Sequence, residues 1–171
     1  MEAAQVKEEG FTVLWPERFD DVLIRFVTTP TRLASYSTYF VFQRSMSFAV
    51  TVIRHDPPTI LAPDVLRIEA GESLDSVRDR FLCDFHAELL GERPILLGAL
   101  VGREFEARFT GAANKEHESR RHPPGPGVGR VKARLYLSNP RVLRVFVTTP
   151  NGQETHKGLE SFLDSFRLVE A

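Results

Sequence analysis

Apolar and polar side chains alternate over several stretches of this chain, and the clearest lies near its end. Val131, Ala133, Leu135 and Leu137 alternate with Lys132, Arg134, Tyr136 and Ser138, the two-residue period of a strand with one buried and one wet face. Asn139-Pro140 breaks that run. Arg141-Val-Leu-Arg-Val-Phe-Val-Thr-Thr149 is rich in β-branched and aromatic residues and reads as the second arm of a hairpin, stopped by Pro150-Asn151-Gly152. From Thr155 the period lengthens, and Leu159, Phe162, Leu163 and Phe166 share one side of a helix. Arg167-Leu-Val169 follows as an edge strand or a tail against the sheet.

Towards the start, Phe11 to Leu14 predicts a short strand ended by Pro16, and Asp21 to Thr29 a second ended by Pro30. Residues 1–9 are polar and are expected to fray. Ser35–Arg44 and Ser47–Arg54 predict two further strands separated by Ser45-Met46, with both faces apolar enough for a central pair covered on both sides. Glu72 to Leu90 predicts the main helix, with Ser73 as its N-cap and Leu74, Val77, Phe81, Phe85 and Leu89 along one side. Gly91-Glu-Arg-Pro94 is expected to end it. Ile95–Val101 and Arg103–Phe109 then predict two strands, with a bulge or turn at Gly102. On the polar face, Glu104 and Glu106 are positioned to pair across strands with Lys132 and Arg134, as a solvated ion ladder.

The expected architecture is an α+β domain spanning residues 1–171: an antiparallel sheet of six to seven strands flanked by helices. The chain's ending, a glycine-flanked strand, Arg134-Leu-Tyr-Leu137 with Val142 to Val147, then Phe162-Leu-Asp-Ser-Phe166, resembles the close of PsbP-like domains. The opening Phe11-Thr-Val-Leu-Trp-Pro16 resembles their early strand and proline. That superfamily includes the extrinsic photosystem II protein, a nucleotide-release factor of the Ran GTPase and many bacterial proteins. The resemblance implies an α/β/α sandwich and carries no catalytic residues to this chain.

Composition narrows the partners. The net charge of −1 gives the molecule no electrostatic bias towards nucleic acid or an anionic membrane. Eighteen of the 22 basic residues are arginine, a bias that suits bidentate anion contacts and that a GC-rich genome also produces. Cys83 is the single cysteine, so no intramolecular disulfide forms, and it faces away from the apolar stripe of the main helix. Glu2, Lys7, Glu8 and Glu9 interrupt any leader-like apolar run near Met1, and no apolar stretch approaches the roughly 18 residues of a membrane span. A cytoplasmic location is the expectation, unless a leader precedes this sequence.

The sharpest compositional change is residues 111–129, which lack core-forming side chains and are expected to form a long exposed loop. His117 and His122 are five residues apart, not the four that put two ligands on one helical face, so no metal site is expected. Gly125-Pro-Gly-Val-Gly129 leads into a strand and lacks the lysine of a phosphate loop. Arg120, Arg121 and His122 are the candidate partner-binding residues, suited to an acidic protein surface. No catalytic or cofactor constellation is nominated. The expected function is a non-enzymatic interaction or accessory module; the alternatives are a small-ligand binder or cryptic enzyme with a cleft between sheet and main helix, and a secretion-associated or chaperone-like protein.

Overall fold

The computed structural model describes residues 2–6, 9–16, 23–28, 34–43, 46–55, 73–109, 129–138, 141–150 and 157–169. Seven of its strands form one antiparallel sheet. They are β3 (Leu23–Thr28), β4 (Ala34–Gln43), β5 (Met46–His55), β6 (Ala87–Leu97), β7 (Leu100–Phe109), β8 (Gly129–Ser138) and β9 (Arg141–Pro150), in the order β3-β4-β5-β9-β8-β7-β6. A smaller sheet joins the two ends of the chain: β1 (Glu2–Val6) and β10 (Arg167–Leu168) flank β2 (Phe11–Trp15). The helices are α1 (Leu74–Phe85) and α2 (Lys157–Ser165).

Each face of the large sheet carries its own core, as the strand alternation requires. Against α1, Val77 and Phe81 pack on Phe105, Ala107, Val131, Ala133, Leu135 and Phe146. The opposite face holds Tyr39, Phe48, Val50, Tyr136, Val145 and Val147 under Phe11, Val13 and Trp15 of β2 and Leu159, Phe162, Leu163 and Phe166 from α2 and its end. The fold is therefore α+β with helices on both faces, and on the α2 side the small sheet completes the layer. β4 and β5 are buried on both faces, as expected of a central pair.

Three expectations are corrected. The main helix does not reach Leu90: His86 adopts the left-handed conformation (φ 48°) and caps it, and Ala87 onward is β6, with Leu89 opposite Ala107. Leu89 still packs on the same core, because a strand beneath the helix reaches it as well as another helical turn would. The turn between the following strands is at Gly98-Ala99 and not at Gly102; Gly98 (φ 59°) takes the left-handed conformation that a two-residue hairpin admits. Residues 2–6, expected to fray, pair with β2 from Glu2↔Trp15 to Val6↔Phe11.

Gly102 is instead a site of close packing inside β7. A Cβ there would lie 2.4 Å from Tyr136 Cδ1 and 2.7 Å from the Leu135 carbonyl oxygen. Gly102→Ala is expected to lower stability by about 2 kcal/mol, the usual cost of overpacking a core. Urea denaturation checks this; an unchanged midpoint would show that the Tyr136 ring can move aside.

Candidate functional site

The polar surface centres on the outer strands, on the α2 face. The register sets Glu104 opposite Arg134 and Glu106 opposite Lys132, so the ladder expected from the alternation is present. Glu104 is almost fully buried, and it is the hub. Arg134 donates from Nε to its Oε2 at 2.6 Å, and Arg93 of β6 donates from Nε to its Oε1 at 2.9 Å. Lys132 stands 3.7 Å from both Glu104 and Glu106 and donates to Glu160 of α2 at 2.6 Å. Arg134 continues to α2, donating to the Leu163 carbonyl at 2.8 Å and to Asp164 at 2.6 Å. An arginine on the last carbonyls of a helix meets the negative end of its dipole, so this contact seats α2 on the sheet.

The electrostatics follow from that arrangement. Burial pushes the Glu104 carboxyl up, but hydrogen bonds from Arg134 and Arg93 and the charges of Arg134 and Lys132 outweigh it and hold the group below the usual carboxylate range. Burial likewise pulls Lys132 down, and Glu160, Glu104 and Glu106 more than compensate. Tyr136, beside this network, is raised chiefly by burial. On the α1 face a second cluster ties helix to hairpin: Arg78 donates to Glu92 at 2.7 Å, and Arg103 bonds Asp75 and, at 3.1 Å, Glu92.

Two features of this region could contact another molecule. The first is a cleft of about 430 Å³ lined by Leu90, Gly91, Arg93, Glu104, Glu106 and Lys132. It opens where the β6–β7 register shifts between Leu89 and Gly91, leaving Leu90 as the extra residue of a bulge. This cleft lies on the α2 face, whereas the expected one lay beneath the main helix. The second is the β6–β7 tip. β7 last pairs with β8 at Gly102↔Tyr136, but β6 and β7 stay paired as far as Leu97↔Leu100. On that tip Leu96 is 72% exposed and Val101, its pairing partner, 60% exposed.

The candidate residues Arg120, Arg121 and His122 lie outside the described residues, as do His117 and the glycine-rich run before Gly129. Among the described residues no group of three or more His, Cys, Asp or Glu side chains is placed to hold a metal ion. Cys83 is exposed on α1, in keeping with its position off the apolar stripe. No helix among the described residues is long and apolar enough to cross a membrane. Two buried charges escaped the sequence reading. Glu9 receives Arg54 through both guanidinium Nη atoms and Tyr39 at 3.2 Å, joining the small sheet to the large one. Arg144 lies beneath α1, 3.5 Å from Asp84 and over the Phe81 ring at 5.7 Å. The signal for Arg144 was available: a lone arginine among Val142, Leu143, Val145 and Phe146, in a strand covered on both faces.

No family model matches the chain, and no curated protein matches it. Among solved structures, the chain is similar to the solution structure of cyanobacterial PsbP (CyanoP) from Synechocystis sp. PCC 6803. The TM-score is 0.57 at 14% sequence identity, over 98% of this chain and 91% of that one. The fold is PsbP-like, as the two ends of the sequence implied.

Proposed function

We propose that this PsbP-like domain is a non-enzymatic accessory module that works by binding another protein. The observation that carries the proposal is the β6–β7 tip, which holds Leu96 and Val101 in solvent at 72% and 60% exposure. Behind it, the prominent charged side chains on both faces of the hairpin are engaged with one another: Glu104 with Arg93 and Arg134, and Glu92 with Arg78 and Arg103. Exposed apolar side chains beside a closed ionic framework suit docking better than turnover, which needs a polar group available to react. Arg120, Arg121 and His122 are proposed as a second contact, for an acidic patch on the same partner.

The test compares affinity capture by the whole chain with capture by a chain in which Asn114 to Pro126 is replaced by a short Gly-Ser linker. A protein captured by the first, and binding it saturably once purified, is the expected result. Weaker binding of that protein to the linker variant would support the arginine contact. Turnover of a substrate, abolished by substituting one buried polar residue, would overturn the proposal.

One observation favours a second reading. The cleft at the Leu90 bulge exceeds the roughly 300 Å³ at which small-ligand sites begin, and it carries both carboxylates and cations. A ligand there would raise the melting temperature of the wild type but not of a Leu90→Trp variant. A metabolite screen giving no shift with either protein removes this reading.

A further inference from the structure

We infer that the β6–β7 tip is the docking element of the interaction proposed above, on which this inference rests, and that its receiver is an apolar slot on a different protein. Ile95-Leu-Leu-Gly-Ala-Leu-Val101 has no charged or hydrogen-bonding side chain. Because β7 stops pairing with β8 at Gly102, this run forms a two-stranded ribbon beyond that junction. Leu96 and Val101 share one face of it; Ile95 and Leu97, on the other, are partly buried against the core of the sheet. The result is a narrow apolar knob on a braced base.

A second copy of the chain does not fit that knob. Two tips meeting symmetrically would bury a few side chains each, far short of the about 800 Å² per partner of a stable interface. A head-to-tail contact into the cleft described above would set the knob against Arg93, Glu104, Glu106 and Lys132, whose charges do not suit it.

A bilayer fits no better. Surface-binding segments use free basic side chains beside their apolar anchors, but at the base of this ribbon Arg93 is held by Glu104, and Arg103 by Asp75 and Glu92. Insertion would carry those carboxylates towards the headgroups, and the net charge of −1 offers no compensating attraction. A protein slot with a polar edge suits both parts, since the knob fills the pocket and the paired charges form the rim.

The experiment places a photo-crosslinking benzoylphenylalanine at position 96, or at position 88 on the polar edge as control, in the full chain exposed to lysate. A protein joined from 96 and not from 88 is purified and titrated with the wild type, with Leu96→Glu/Val101→Glu and with Leu96→Met/Val101→Ile. The expected result is a loss of affinity of tenfold or more for the charged pair and little change for the apolar pair, with all three melting alike because both side chains face solvent. Equal binding by the charged variant, or crosslinking from 88 alone, overturns the tip as docking element while leaving an interaction module standing. Absence of any retained protein removes both. A dimer seen by sedimentation, or co-flotation with phosphatidylcholine–phosphatidylglycerol vesicles, lost in the charged variant, would assign the tip to one of the excluded occupants and overturn the inference.

Discussion

Phe162→Ala is expected to cost about 4 kcal/mol, because large-to-small changes in a core lose both transfer energy and cavity contacts. Phe162 is fully buried between the two sheets. Its ring lies 5.3 Å from Trp15 and 5.4 Å, edge-on, from Phe48, so removing it opens the junction of α2, β2 and β5 together. A domain of this size has roughly 5–15 kcal/mol in total, and such a loss should lower the urea midpoint sharply. Leu96→Ala, at the exposed β6–β7 tip, is the control and should stay within about 0.5 kcal/mol. A loss below about 1 kcal/mol for Phe162→Ala would mean that α2 is not seated as described.

Glu104→Gln should be the next largest, at about 2 kcal/mol near neutral pH. The amide keeps one acceptor, but it removes the central negative charge facing Lys132 and Arg134, both largely buried, whose remaining anionic partners among the described residues are Glu160, Glu106 and Asp164. The sign with pH follows from the lowered carboxyl. A group whose folded value lies below its unfolded value stabilises fully above the unfolded value, about 4.3 for glutamate, and loses that contribution as pH falls through the folded one. The gap between wild type and variant should therefore be full from about pH 6 to 8 and narrow progressively as pH falls below the unfolded value. A gap that does not narrow at all as pH falls from about 6 towards the acid limit of folding would assign the effect to amide packing and not to charge.

The ladder that makes this prediction possible was readable before the structure. Once Phe105, Ala107 and Phe109 are assigned inward, Glu104 and Glu106 must face out, and the same alternation in β8 puts Lys132 and Arg134 beside them. Its depth was not readable. Glu104 is buried because α2 folds across β8 and its own cations close over it, and neither strand's pattern contains that information.

The β6 segment shows the opposite case. Ala87 to Leu90 fits the apolar stripe of a continuing helix and also the alternation of a strand, and the choice fell to His86 turning left-handed and to pairing with β7. The first strand was hidden for another reason. Glu2–Val6 pairs with β2 along its whole length, and backbone pairing leaves little mark on side-chain choice. The apolar tip was visible as a run of uncharged residues but read as an ordinary strand, because its exposure depends on where β7 parts from β8.

The strand order sets how this chain must fold. Most neighbours in the large sheet are joined by local hairpins, but its middle is closed by β5 against β9, with Val50 opposite Val145, and the small sheet closes β2 against β10. Residues from the first third of the chain must find residues from the last before either core is complete. Such non-local closure is paid in chain entropy before contacts reward it, which places folding on the millisecond-to-second scale of high contact order domains. The β3–β5 and β6–β9 meanders are each built from strands adjacent in sequence, so on topology alone both are expected to form before β5 meets β9. The β5–β9 seam is therefore the long-range closure on which both cores depend.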